Sequence, residues 1–350
     1  MFERLSVLII EDSPFFRGML AEILRALKVG RIVAMEEGGA TITHLRSIGK
    51  NAAAAQALVP DLIICDYLMS PINGAMVLRW VRQSEDSPDR FIPFVMISGA
   101  ADGDKVREVR DLGVTEFLAK PFSVKAVANH LIAAIDGPRP FIYTRDYFGP
   151  DRRRQVRPYN DVDRRIATEK DLEILYSGSR LRSVNPNAKA FVFKLPNRLR
   201  EKIAGIGRGP LVIDPSLLQQ AEHQLDRMEE DYSDWVRGSI QQLYEAHRAG
   251  KALDPRKRLI PIQTINKIAH DLRGQGSTFG YPLITVFGRS LYECTLDISE
   301  ASDQLFEFIR THIDGINAVI REKIKGEGGQ MGKDLITSLE RARDRLMVAH

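Results

Sequence analysis

Short apolar runs at residues 5–10, 62–65 and 94–97 have the length of buried strands, and each is followed by polar loop residues and then a helical pattern. Shorter strand candidates lie at 32–35 and 115–118. After the first run Phe15, Met19, Ile23 and Leu27 recur at intervals of four, and Met76, Val77, Trp80 and Val81 repeat the pattern further on. Five strands alternating with five helices predict a doubly wound α/β domain with a five-stranded parallel sheet, whose ligands bind beyond the carboxyl ends of the strands.

From Pro215 onward long helical periods take over. Leu218, Ala221, Leu225, Met228, Tyr232, Trp235 and Val236 run at three- and four-residue intervals, bounded by Asp214-Pro215 and Gly250. A second pattern, Ile262, Ile265, Ala269 and Leu272, follows Asp254-Pro255; a third runs through Leu283, Val286, Phe287 and Leu291, and a fourth from Leu305 through Ile313 to Ile320. Four amphipathic helices with short connections predict an all-α antiparallel bundle. Beyond Gly326-Glu327-Gly328-Gly329, residues 335–348 read as one appended helix.

The chain has 350 residues, 44% hydrophobic and 27% charged, which suits two or three domains with real cores and excludes a disordered chain. No apolar run approaches the ~18 residues of a membrane span, and no signal peptide is read ahead of Glu11. Cys65 and Cys294 can build neither a disulfide framework nor a pair at metal-ligand spacing, so a reducing cytoplasm and no membrane partner are expected. The formal charge of +4 is unevenly spread: 15 Lys+Arg against 17 Asp+Glu over residues 1–136, 17 against 8 over 137–209, and 18 against 21 over 210–350. The excess lies in a loop-like stretch containing Gly137-Pro138-Arg139-Pro140, Phe148-Gly149-Pro150-Asp151 and Arg152-Arg153-Arg154. The expected organisation is an α/β domain at 1–136, a basic linker at 137–209, a four-helix bundle at 210–325, and a tail with its helix at 326–350. Within the linker, Asn185-Pro186-Asn187 followed by alternating Phe191, Phe193 and Leu195 suggests a small hairpin. The arginine run lacks a recognition-helix pattern or an aromatic stacking platform, so a solvated run is preferred to nucleic-acid contact.

Candidate chemistry gathers at the predicted strand ends. Glu11 and Asp12 follow the first strand, Asp66 the third, Ser98 the fourth, and Lys120 with Pro121 the fifth. Three carboxylates at one edge repel unless a cation sits among them, and oxygen-only ligation suits Mg²⁺. Such a metal neutralises an incoming phosphoryl group, with the Lys120 ammonium and Ser98 hydroxyl placed to bind its oxygens. One carboxylate can then act as nucleophile and form an acyl phosphate.

This constellation resembles the response-regulator receiver domain of two-component signalling, with its flavodoxin-like fold, over about residues 1–136. The likeness rests on Glu11-Asp12, on Asp66 with Gly74 eight residues on, on Ser98 followed by Gly99-Ala100, and on Lys120-Pro121 with Phe117 three residues earlier. It implies that Asp66 is the phosphoacceptor, that Glu11, Asp12 and Asp66 hold Mg²⁺, and that Ser98 and Phe117 are the switch pair. Two departures touch loops rather than the acid site: Pro71 stands one place later than usual, and an Ala-rich stretch at 51–57 lengthens the region before the third strand.

The second predicted helix of the bundle carries His270-Asp271-Leu272-Arg273-Gly274-Gln275-Gly276-Ser277. His270 lies about 200° round the helix from core-facing Leu272, so its ring is expected to point to water. Lys267, Arg273, Gly274 and Ser277 share its face, and an imidazole between two cations is a plausible seat for a phosphoryl group. Glycines in a helix cost ~1 kcal/mol each, so Gly274 and Gly276 call for a reason, which close approach of a partner domain would supply. The segment resembles the histidine-phosphotransfer domain, whose motif of His, then Lys-Gly three and four residues on, then Gly six further is matched by His270, Arg273-Gly274 and Gly280. Arg273 for Lys is the departure; it keeps the charge and changes its geometry. His44, His130, His223, His247, His312 and His350 lack such surroundings and read as structural or solvated.

The chain is therefore expected to be a phosphorelay protein and not an enzyme. Gly205-Ile206-Gly207-Arg208-Gly209 has neither the strand before it nor the Lys-Ser/Thr after it of a phosphate-cradling loop, and no kinase glycine box is seen. Asp66 would accept from a sensor histidine kinase or another phosphotransfer protein, and His270 would exchange with a receiver aspartate, in this chain or in a separate receiver-domain protein. The competing reading leaves His270 inert and makes the helical domain a phosphorylation-controlled output module that binds protein or nucleic acid.

Overall fold

In a computed structural model of the chain, the described residues are 2–50, 59–98, 103–120, 122–152, 172–175, 190–204, 211–296, 298 and 300–348. The chain divides into two units, Met1–Ala119 with Val124–Gln224 and Lys120–Ser123 with Leu225–His350.

The first unit is built on β1 (Ser6–Ile10), β2 (Arg31–Met35), β3 (Leu62–Asp66), β4 (Phe94–Ser98) and β5 (Glu116–Ala119), all parallel in the order β2-β1-β3-β4-β5. Every residue of β3 and β4 is buried; strands covered on both faces carry continuous apolar runs instead of alternation. Helices α1 (Pro14–Ala26), α2 (Gly38–Lys50), α3 (Gly74–Gln83), α4 (Gly103–Asp111) and α5 (Val124–Asp136) complete the α/β alternation. Pro14 opens α1, and Asn73 caps α3 by accepting from the Met76 amide at 2.9 Å. Each of the five predicted strands is found within one residue of its expected limits. The Ala-rich stretch at 51–57 lies outside the described residues.

The segment expected to be a linker is instead structured where it is described. β6 (Phe141–Tyr143), β7 (Phe148–Pro150), β8 (Leu172–Leu175) and β9 (Ala190–Phe193) form a second sheet in the order β7-β6-β9-β8, followed by α6 (Arg198–Ala204). β9 pairs antiparallel with β6 and parallel with β8. The expected hairpin is thus not the pairing that β9 makes, because parallel neighbours cannot be joined by a tight turn. The turn residues Asn185-Pro186-Asn187, together with Arg153, Arg154 and the glycine-rich stretch 205–209, lie outside the described residues.

What the sequence pattern missed is a set of single-residue anchors. Phe141, Phe148 and Phe193 close around Phe91, with ring centroids 5.1, 5.2 and 5.3 Å away. Arg82 of α3 is almost wholly buried; its Nε donates to the Gly113 carbonyl at 2.9 Å and its Nη1 to the Arg90 and Ile92 carbonyls, each at 2.8 Å. Asn197 donates to the Ile135 carbonyl at 2.6 Å, Lys202 pairs with Asp61 at 2.6 Å, and Arg200 pairs with Asp136. Asp61, Phe91 and Gly113 precede β3, β4 and β5, and Ile135 lies in the last turn of α5. The added sheet and helix are therefore fastened to the amino-terminal edge of the parallel sheet, opposite the edge where ligands bind.

The second unit contains the helix α7 (Pro215–Lys251) from residue 225 onward, then α8 (Leu259–Gln275), α9 (Pro282–Cys294), α10 (Asp303–Arg321) and α11 (Gly329–Val348). All four predicted bundle helices are present, and the appended one starts earlier than expected and is anchored: Leu339 is buried, and the Gly326 amide donates to the Gly280 carbonyl at 2.8 Å. Tyr232 of α7 stacks on Phe279, with centroids 4.4 Å apart, and buried His247 lies 2.9 Å from the Phe306 carbonyl. Buried Arg258 binds the carbonyls of Leu253 and Ala301 at 2.9 and 3.0 Å and the Asp303 carboxylate at 2.7 Å, which ties the starts of α8 and α10 together. Among the described residues no helix is long and apolar enough to cross a membrane.

Candidate functional site

In the register of the parallel sheet Ile10 lies opposite Cys65, so the chain leaves β1 through Glu11 and Asp12 at the level where Asp66 ends β3. Asp66 in turn lies opposite Ile97, which sets Ser98 one step beyond, at the carboxyl end of β4. Ligand oxygens of Glu11, Asp12 and Asp66 all lie within 4.8 Å of one another, and Glu11 and Asp66 are only 2% and 4% exposed. Three carboxylates this close make a concentrated acidic cluster at the carboxyl edge of the sheet. An all-oxygen set of this size can hold a hard divalent cation. Ser98 is fully buried and pairs in register with Ala119, and Lys120 is the next residue in the chain. Phe117, opposite Met96 on β5, is half-buried against the core.

Two further residues hold this edge in shape. Arg17 donates through Nη1 to the carbonyls of Glu11 at 2.7 Å and Asp12 at 3.3 Å, while its Nη2 lies 3.6 Å from the Glu36 carboxylate. It fixes the turn that carries two of the three carboxylates. Sequence reasoning missed it; the available signal was an arginine in the first turns of a helix that starts just after the acidic pair. Gly74 is the second. A Cβ there would stand 2.2 Å from the Asp66 carbonyl oxygen and 2.9 Å from the Met96 sulfur, so only glycine lets α3 start this close to β3. Gly74→Ala is expected to displace α3, costing about 2 kcal/mol in chemical unfolding and weakening any divalent-cation binding seen for the wild type by calorimetric titration. Unchanged values in both experiments would contradict the contact's role.

The His270 constellation lies in the second unit. The His270 ring is not turned fully to water as expected: its side chain is 20% exposed and its centroid lies 5.6 Å from the Tyr292 ring of α9. Arg273 also turns to Tyr292, with its guanidinium carbon 3.9 Å from the ring centroid. Asn266 donates to the Tyr292 carbonyl at 3.0 Å and to the Thr295 hydroxyl at 2.9 Å, holding α9 against α8 at this level. Tyr292 is thus the shelf that positions both groups, and a helix-period reading of α8 alone could not reveal it. Lys267 is exposed and Gly274 half-buried, one turn to either side of His270.

The other glycines serve the bundle itself. A Cβ on Gly276 would meet the Tyr281 carbonyl oxygen at 2.4 Å and the Thr285 amide at 2.8 Å, so its reason is the packing of α9 on the end of α8 and not a partner domain. Gly280 has φ of 79°, a left-handed turn conformation that favours glycine.

Residues 7–132 match the family described as response regulator receiver domain. Among curated proteins, the transcriptional regulatory protein PdtaR of Mycobacterium tuberculosis is 32% identical over 130 residues, covering 37% of this chain and 54% of that protein. The two-component response regulator ARR7 of Arabidopsis thaliana is 29% identical over 124 residues, covering 35% of this chain and 59% of its own length. The chain thus spans little more than half the length of these relatives. Among solved structures, the chemotaxis response regulator CheY4 of Vibrio cholerae is 24% identical, with 37% of this chain and 98% of that chain covered and a TM-score of 0.31. The family match falls on the parallel sheet and its acidic edge: residues 7–132 form a response regulator receiver domain.

Proposed function

We propose that this chain is a phosphorelay protein in which Asp66 accepts a phosphoryl group from a partner phosphohistidine and His270 exchanges one with a receiver aspartate. The observation that carries the first half is the convergence of Glu11, Asp12 and Asp66 within 4.8 Å at the carboxyl edge of the sheet. The three carboxylates would hold Mg²⁺, which when bound supplies positive charge opposite the phosphoryl oxygens. An Asp66 oxygen attacks phosphorus as the donor's N–P bond breaks, and the departing imidazole takes up a proton. The Ser98 hydroxyl and the Lys120 ammonium bind phosphoryl oxygens, and the positions of Ser98 and Phe117 then report whether Asp66 is modified.

For the second half, the support is His270 on a bundle helix with Lys267 and Arg273 a turn to either side and Tyr292 beneath. The partners implied are a sensor histidine kinase or phosphotransfer protein upstream and, for His270, this receiver or a separate one. A second reading keeps His270 inert and makes the helical unit a phosphorylation-controlled output module. The use of Gly276 and Gly280 in packing and turning favours it, since those glycines then need no partner. An output on nucleic acid belongs to the same reading, and the mycobacterial relative is by its printed name a transcriptional regulatory protein.

The test is incubation of the full chain with a phosphodonor kinase, with alkali-labile acyl phosphate and acid-labile phosphohistidine counted separately. Asp66→Asn is expected to lose the alkali-labile label and His270→Gln the acid-labile one. Alkali-labile label that survives Asp66→Asn would overturn the acceptor. Absence of His270-dependent label with this or any added receiver decides for the output module.

A further inference from the structure

Tyr67, the residue immediately after Asp66, is built into three elements at once. Its amide donates to the Ile97 carbonyl of β4 at 2.8 Å, and its carbonyl accepts from the Gly74 amide at the start of α3 at 3.1 Å. Tyr67 is buried, 7% exposed, within the hydrophobic core against which Leu112 and Phe117 also pack. The hydroxyl emerges to donate to the Glu108 carboxylate of α4 at 2.6 Å, across 41 residues of sequence. That length is characteristic of an O–H donor on a charged acceptor, the stronger class of side-chain hydrogen bond.

The placement matters because of what α4 is attached to. It begins five residues after Ser98, the buried hydroxyl that the reading above assigns to the phosphoryl oxygens. Ser98 is thus a short stretch of chain away from the start of α4. Tyr67 grips the same helix from the acceptor strand through a side chain whose backbone is immobilised next to Asp66. A group bound at Asp66 can change α4 only through contacts that differ between two arrangements, and this bond joins α4 to the residue after Asp66 independently of the Ser98 and Phe117 pair.

We infer that Tyr67 and Glu108 are positioning residues that couple the occupancy of Asp66 to α4, a second mechanical link beside Ser98 and Phe117. The inference rests on Asp66 being the phosphoacceptor. The experiment uses the full chain with Mg²⁺ and beryllofluoride, a phosphoryl mimic, and has two readouts: mimic binding by fluorine NMR, and amide hydrogen exchange of peptides covering 103–111 with and without the mimic. In the wild type, beryllofluoride is expected to change exchange in α4. In Tyr67→Phe and in Glu108→Ala that change should fall to less than about half, with thermal midpoints near the wild-type value. Glu108→Gln keeps an acceptor oxygen for the tyrosine and should behave as wild type, which separates the hydrogen bond from the loss of charge. A Tyr67→Phe response equal to the wild type, or a wild-type α4 that does not respond to bound mimic, overturns the coupling and leaves the acceptor standing. A wild type that binds no beryllofluoride overturns the acceptor and the coupling together.

Discussion

Arg82→Ala is expected to remove about 3–5 kcal/mol from the stability of the N-terminal unit, the range for breaking a buried charged network from one side. The guanidinium is enclosed by protein, and burial lowers its pKa to about 10, so at neutral pH it remains a cation. It is sustained there by the carbonyls of Gly113, Arg90 and Ile92, by the charge of Asp89, and by the Phe141 ring, whose centroid is 5.2 Å from the guanidinium carbon. Removing it withdraws the donors from three carbonyls under an aromatic lid where replacement water has little access. It also unfastens the second sheet from α3 and from the turn before β5. Lysine has one ammonium in place of a planar fork, so Arg82→Lys should recover only part of the loss. Urea unfolding of the three proteins, followed by circular dichroism, gives the comparison. A cost below about 1 kcal/mol for Arg82→Ala would mean that water replaces the guanidinium and that the second sheet is held without it by its other contacts.

Acid should weaken the helical unit through His312. Its ring is fully buried between α9 and α10, with Nδ1 2.8 Å from the Phe308 carbonyl and Nε2 2.8 Å from the Ser290 hydroxyl. Those partners suit a neutral ring that donates from Nδ1 and accepts at Nε2. Burial lowers its pKa to about 4, against an unfolded value of about 6.5. The sign follows directly. Above about pH 6.5 both states hold a neutral ring and the stability is complete. As pH falls through 6.5 the unfolded chain binds a proton that the folded chain does not, and stability is lost progressively until about pH 4. The loss amounts to about 3 kcal/mol for this one group. His247 is shifted in the same direction by burial and steepens the same limb. His312→Phe lacks the titrating ring, so its stability should fall less steeply between pH 6.5 and 4, whatever it costs at neutral pH. Parallel slopes for the two proteins in thermal melts across that window would exclude His312 as the acid trigger.

The receiver domain was legible because its signals are local and periodic. Continuous apolar runs mark β1, β3 and β4, and the strand-end residues Glu11, Asp12, Asp66 and Ser98 are adjacent in chain position to those runs, so parallel topology alone gathers the strand ends at one edge. The helices α7 to α10 were legible for the same reason, through three- and four-residue spacing, with prolines opening α7 and α9. Residues 137–209 were not. Their described strands are three or four residues long, too short for a period to show, and the stretch around them is rich in the arginines and prolines that elsewhere mean solvated loop.

The sequence by itself therefore determined the α/β domain, the gathering of Glu11, Asp12 and Asp66 at one edge of its sheet and the helical character of the C-terminal half, because each depends on spacing along the chain. Tertiary structure alone decided what distant residues meet. It turned a supposed linker into a sheet pinned by Arg82 and Phe91, gave Gly74 and Gly276 their reasons in close backbone approach, and seated His270 and Arg273 on Tyr292. It also joined Tyr67 to Glu108. Contacts of this kind depend on how elements are brought together in space, and no periodicity in the chain encodes the partner at the far end.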